Sequence, residues 1–106
     1  MTAVRAWLAD REPPAPDALR ARLDELVGAH PEWEELPLPS ALLAAGEQLL
    51  QQVLAGPPRS RSTAVDLLAA DAALTYAFEA ASEAPDQLVA LAEGAVRRIA
   101  LVVEEA

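Results

Sequence analysis

His30 is the residue of this sequence whose type could most readily do chemistry, because an imidazole can act as a general base or a metal ligand near neutral pH. It is the single histidine of the chain. A hydrolytic site would also need an activated serine, and the G-x-S-x-G pattern that presents one does not occur. His30 follows a predicted helix end, where a protonated imidazole interacts favourably with the helix dipole and with free carbonyls. We therefore interpret it as a helix-end residue and predict that the protein is not an enzyme.

Carboxylates on helices are a second source of chemistry, since helical bundles hold metal pairs with glutamates and Glu-x-x-His motifs. No Glu-x-x-His occurs here, and no cysteine could supply a thiolate. Asp71 and Glu79 lie about two helical turns apart and could face one site, although nitrogen ligands are missing. We predict no metal and no cofactor. The alternative is a small-ligand or carboxylate-metal-binding bundle, which could be enzymatic, built on Asp71, Glu79, Tyr76 or His30.

The segment 56–63 (GPPRSRST) places basic and hydroxyl side chains immediately before a predicted helix. Such an arrangement can bind a phosphate or an acidic peptide, because backbone N–H groups and guanidinium groups both donate to anions there. The candidate anion-binding residues are Arg59, Arg61, Ser62 and Thr63. The other interpretation is a flexible polar loop whose serine or threonine caps the following helix.

Aromatic side chains are scarce and must fill large volumes in an interior rich in alanine. They are Trp7, Trp33, Tyr76 and Phe78. Anchoring in the core or at an interface explains them most simply, and a pocket for a small apolar ligand is the alternative. Trp33 stands among acidic residues in a connector, so we expect it to cover one end of the fold or to contact a partner.

The elements that position these residues are predicted to be helices. The chain has 25 alanines and 17 leucines, which are strong helix formers, and few β-branched or aromatic residues from which to build a sheet. We predict one all-α domain over residues 1–106, an antiparallel four-helix bundle with a short extra N-terminal helix. Ser40 and Thr63 are the predicted caps of two of the helices. The helices are expected at about 3–11, 16–28, 40–55, 63–84 and 85–104.

Surplus apolar surface is the feature that bears most on function. The helix predicted at 63–84 is apolar over more of its circumference than one core-facing stripe requires, and its small side chains would let another helix approach closely. The last helix also has a broad apolar arc. Symmetric dimers commonly cover such surface. The predicted interface consists of Ala69, Ala73, Ala77, Phe78, Leu101 and Trp33.

The charge of the chain restricts its partners. With 17 acidic and 8 basic residues the net charge is -9, which repels phosphate backbones and anionic lipids, so we predict neither nucleic acid nor membrane as a partner. No apolar run approaches the length of a membrane span, and the first residues do not resemble a signal peptide, so a cytoplasmic location is expected. The leading hypothesis is a non-catalytic helical module that docks to another protein or self-associates as a homodimer.

Overall fold

The computed structural model describes residues 3–105, and these residues form α-helices, one 3-10 helix and connecting turns. No β-strand occurs within that range, which confirms the all-helical prediction. Five of the predicted segments are α-helices with slightly different ends. The elements are α1 (Ala3–Ala9), α2 (Asp17–Ala29), a 3-10 helix (Pro31–Glu35), α3 (Leu38–Ala55), α4 (Arg61–Ala81) and α5 (Pro85–Glu105).

The starts of α3 and α4 differ from the sequence prediction because the caps differ. The side chain of Ser60 accepts a hydrogen bond from the backbone N–H of Thr63 (3.1 Å), so α4 begins at Arg61. Thr63 is thus the donor of the capping hydrogen bond and not the cap. Helix α3 begins at Leu38, so the prediction that Ser40 is its N-cap is wrong. Pro39 fits the first turn of α3, because the N–H that a proline lacks would have no helical partner there.

The centre of the fold is the antiparallel pair α3–α4, which has the most extensive helix–helix interface. Gly46 of α3 lies against Leu74 of α4, and Gly56 lies near Thr63, so the two helices run in opposite directions. Leucines of α3 and small residues of α4 fill the space between them. The fully buried residues of this pair include Leu42, Leu43, Leu49, Ala69, Ala73 and Ala77. Small side chains on one helix and large ones on the other allow close packing without voids.

The remaining helices cover opposite sides of this pair. Helices α1 and α2 lie on the side of α4 that carries Tyr76, and the Trp7 ring of α1 contacts that tyrosine. Helix α5 contacts α3 and α4, and its Arg98 pairs with Glu47 of α3. The packing is consistent with a helical bundle.

Helix α5 is the least buried of the long helices. Only Gly94, Ala95 and Val102 of its 21 residues are buried, while Leu91 and Ile99 are partly buried against the core. Two of the three buried residues are small, so α5 inserts little volume into the interior. Much of its apolar arc is therefore left outside the core.

The close approach of α3 to α4 predicts that position 46 cannot accept a larger residue. In Gly46→Ala the new methyl carbon would lie 2.7 Å from Leu74 Cδ2 and 2.8 Å from Leu74 Cγ. Overpacking of this kind costs about 1–3 kcal/mol. The better helix propensity of alanine offsets only about 1 kcal/mol of that. Urea denaturation should therefore show a lower free energy of unfolding.

Gly94→Ala is the matched control, since the nearest atom to its new methyl carbon is the mobile end of Arg98, at 3.2 Å. It should leave stability unchanged or raise it by up to about 1 kcal/mol. Equal gains in both variants would mean that the Leu74 side chain can move aside at no cost.

Candidate functional site

An ion pair and a hydrogen bond from Arg22 hold α2 against the central helix pair α3–α4. Arg22 Nε lies 2.7 Å from Asp66 Oδ1 on α4, and another nitrogen of the same guanidinium donates to the side-chain oxygen of Gln52 on α3. Both charged side chains are mostly buried, at 20% and 17% exposure. Because a planar guanidinium donates in fixed directions, this residue sets the orientation of α2 against two helices at once.

The aromatic residues Trp7 and Tyr76 form a second contact between helices, which joins α1 to α4. Their rings meet edge to face with centroids 5.5 Å apart. Arg11 covers the Trp7 ring, with its guanidinium carbon 3.6 Å from the centroid, and pairs with Glu79 at 3.2 Å. Tyr76 and Glu79 are thus engaged with α1 and its following turn. Asp71, the other candidate ligand, is exposed.

The described part of the chain contains no cluster of side chains that could ligate a metal ion. Within residues 3–105 no group of three or more histidine, cysteine, aspartate or glutamate side chains could hold a metal ion.

His30 ends α2 through its backbone and not through its ring. Its N–H donates to the carbonyl of Val27, while its ring stacks on Trp33 with centroids 4.1 Å apart and an angle of 9°. Nδ1 lies 2.9 Å from Glu32 Oε1, and this hydrogen bond holds the pKa of Glu32 below its usual range. Trp33 is partly buried and packs against the core. A contact of Trp33 with a partner stays a prediction.

The segment predicted to bind anions is a tight turn followed by the start of α4. The hydroxyl of Ser60 donates to Thr63 Oγ1 at 2.7 Å and lies 3.2 Å from Ser62 Oγ. Arg59 is exposed in the turn, whereas Arg61 is the first residue of the helix. The hydroxyl groups are thus used in capping. Anion binding by this segment stays a prediction.

The alanines of α4 require a correction to the predicted interface. Ala69, Ala73 and Ala77 are completely buried within the single chain, so in this fold they are core residues that a second molecule cannot reach. The close helical approach that their small side chains favour is satisfied by α3 of the same chain. Phe78 and Leu101 of the same prediction are exposed.

An apolar surface along α5 contains residues that the predicted interface did not include. Val89, Val96 and Val103 are 65%, 71% and 56% exposed, and their spacing of seven places them along one line of the helix. On α4, Leu67 and Phe78 are also exposed. We call these five residues the α4–α5 apolar face. The heptad spacing of the valines was the signal in the sequence, but spacing alone does not say which apolar residues the core covers.

The five residues lie on one side of the molecule. Arg98 of α5 pairs with α3 and so marks the side of α5 that faces α3. At about 100° per residue, Val96 lies on the opposite side of α5, so the three valines are on the side towards α4. Leu67 and Phe78 lie about 180° from Tyr76, the residue that meets α1. They therefore lie on the flank of α4 towards α5. The face combines the exposed edges of two neighbouring helices.

Comparison with protein-family models, with curated proteins and with solved structures finds no match for this chain. None of the helices within residues 3–105 has both the length and the apolarity that crossing a bilayer requires.

The contact between His30 and Glu32 predicts a measurable change in titration. His30→Ala removes the side-chain hydrogen bond, so the pKa of Glu32 should rise towards its ordinary value of 4.5. A lowered pKa in the folded state stabilises the fold above that ordinary value, and the contribution is lost as pH falls through the lowered pKa. Carboxyl NMR titration measures the shift. His30→Gln, whose amide can also donate, should retain part of the lowering; an unchanged pKa in both variants would assign it to the backbone hydrogen bond of Glu32.

The turn before α4 predicts the order of tryptic cleavage within the C-terminal half. Arg59 is exposed outside any helix, whereas Arg97 and Arg98 lie within α5. Proteases cut exposed turns before helices, so mass spectrometry should find cleavage after Arg59 before cleavage after either of the other two. Arg59→Gln should delay formation of that fragment pair. Earlier cleavage in α5 would show that α5 opens more readily than this turn.

Proposed function

We propose that this chain is a non-catalytic helical module that docks to another polypeptide through the α4–α5 apolar face, on an antiparallel four-helix bundle scaffold. Homodimer formation, expected from the sequence, is the simplest form of such docking, and the cytoplasm is the expected setting. The observation that carries the proposal is the line of Val89, Val96 and Val103, more than half exposed on a well-formed helix beside exposed Leu67 and Phe78.

The energetics of apolar burial favour this use of the face. Burying one valine or leucine side chain completely is worth about 1.5–3 kcal/mol, so covering several on one face supplies a substantial part of a binding free energy. The side chains stand on helices that are already folded. Docking therefore requires little ordering of this chain, and less of the gain is lost to entropy.

The alternative, a ligand- or metal-binding bundle, has weaker support. The cleft between the ends of α3 and α5 has a volume of about 460 Å³ and is lined by Gln51, Leu54, Ala55, Val102 and Glu105. Specific ligand pockets combine apolar walls with polar groups that converge on the ligand. Here only Gln51 and Glu105 carry polar side chains, and the cleft is open to solvent. Glu79, proposed as a ligand from the sequence, is paired with Arg11.

Site-specific photo-crosslinking in the cells that make the chain tests the proposal. A photoreactive amino acid at position 96 lies on the face, whereas one at Ala90 is exposed on the other flank of the same helix, beside the start of α3. We expect a protein adduct from position 96 and little from position 90. An adduct between two copies of this chain would identify the homodimer, and one with a different protein would identify heterotypic docking. Equal adduct yields at both positions, or none at position 96, would contradict the proposed function.

A further inference from the structure

We infer that the occupant of the α4–α5 apolar face is a basic amphipathic helix of a partner protein. This inference rests on the proposed function and names the chemistry of the partner. It follows from the charges beside the face, from their lack of counter-ions within the chain, and from the shape of a surface shared by two helices.

Acidic side chains border the face on both helices. Asp71 follows Leu67 by one turn of α4, and Glu93 precedes Val96 by about one turn of α5. Asp86 and Glu104 lie further round the outer side of α5, near its two ends. All four acidic side chains are exposed.

These carboxylates have no counter-ion in the part of the chain that the structure describes, where neither Asp71 nor Glu93 forms an ion pair. The pair that spacing would allow between Glu93 and Arg97 is not formed either. Five of the eight arginines are engaged elsewhere with carboxylates of this chain. These are Arg5, Arg11, Arg20, Arg22 and Arg98.

The three other arginines lie away from the face. Arg59 is in the turn before α4, and Arg61 lies at the start of α4, about 120° round the helix from Leu67. Arg97 is on the outer side of α5, beyond Glu93. The border of the face is therefore net negative.

The shape of the face suits a helix. The line from Val89 to Val103 spans about 21 Å, or four helical turns. The neighbouring edge of α4 adds Leu67 and Phe78 to the face. An amphipathic helix laid along two helices places anchors at positions i, i+3 or i+4, and i+7. Leucine-type anchors would contact the five apolar side chains. Lysine or arginine on the flanks of that helix would reach Asp71 on one side and Glu93 on the other.

A second copy of this chain suits the face less well. Each copy has a net charge of -9, and a symmetric contact would bring the same acidic borders together. The acidic side chains beside the face attract a basic helix, whereas they repel the same acidic side chains of a second copy. Electrostatic attraction between exposed groups weakens with salt, so the preference for a basic partner should be largest at low ionic strength.

The test uses the full chain and three labelled synthetic peptides of about 18 residues, long enough to span the face. The first carries leucines at helical spacing with lysines elsewhere. The second has the same composition in an order without an apolar stripe, and the third replaces every lysine by glutamate. Fluorescence anisotropy should show that the basic amphipathic peptide binds at least about tenfold more tightly than the scrambled one, and that the acidic peptide does not bind.

Variants locate the binding on the face. Val96→Glu should weaken binding of the basic amphipathic peptide by at least about tenfold, whereas Ala90→Glu, with the same charge change on the same helix, should not weaken it. Since Val96 is 71% exposed, the substitution leaves the core intact, and circular dichroism verifies that the variant is folded.

A second pair of variants tests the charges. Asp71→Asn with Glu93→Gln should weaken binding at low salt, and the loss should vanish at high salt. Glu34→Gln with Glu35→Gln removes two exposed charges from the 3-10 helix and should have a smaller effect at any salt concentration. Equal effects of the two double variants would mean that only the net charge of the chain attracts the peptide.

The outcomes separate this inference from the proposed function. Equal binding of the scrambled peptide, or no effect of Val96→Glu, overturns the inference. Val96-dependent binding of the acidic peptide, or of a second copy in sedimentation, also overturns it, although the face would still dock a polypeptide. If no peptide binds, the inference is wrong. The proposed function is then decided by the crosslinking result at position 96.

Discussion

Close approach of α3 and α4 is the constraint on which the rest of the fold depends. Gly46 lies so near Leu74 that a methyl group would collide with it, and the facing side of α4 is lined with alanines. Two helices packed this closely make many van der Waals contacts with few large side chains. An interior poor in aromatic residues can thus be filled. The same closeness fixes the axis against which every other helix packs.

The two sides of this pair are held by different physical interactions. Helices α1 and α2 combine apolar burial with specific polar ties, in which Arg22 bonds to both central helices and Arg11 links Trp7 to Glu79. On the other side, α5 buries small residues and makes one ion pair with α3, from Arg98. The stronger set of directional contacts lies on the side of α1 and α2. On the side of α5, five large apolar side chains of the α4–α5 apolar face stay exposed.

This asymmetry links the fold to the proposed function. A helix whose apolar arc is wider than the area covered by its neighbours presents a ready surface to a further helix. In the proposed interaction, the acidic residues beside that surface provide selectivity, because they favour a basic partner and disfavour a second acidic chain. Valines with restricted rotamers, held on a helix, lose little side-chain entropy when they are covered. The same features that leave α5 weakly buried therefore make it suited to recognition.

The sequence by itself determined the helical class and the number of α-helices, and it placed their ends to within three residues, since these follow from local propensity and from prolines and glycines. It also excluded a thiolate or Glu-x-x-His centre by composition. Only the tertiary structure decided which apolar residues are interior. Ala73 and Val96 look alike as apolar positions on broad helical faces, yet one is buried and the other exposed. That difference depends on which neighbour each helix meets, and the contacts responsible lie between residues distant in the chain, as between Gly46 and Leu74 or Arg22 and Asp66. Periodicity describes one helix at a time, so it cannot choose among such pairings.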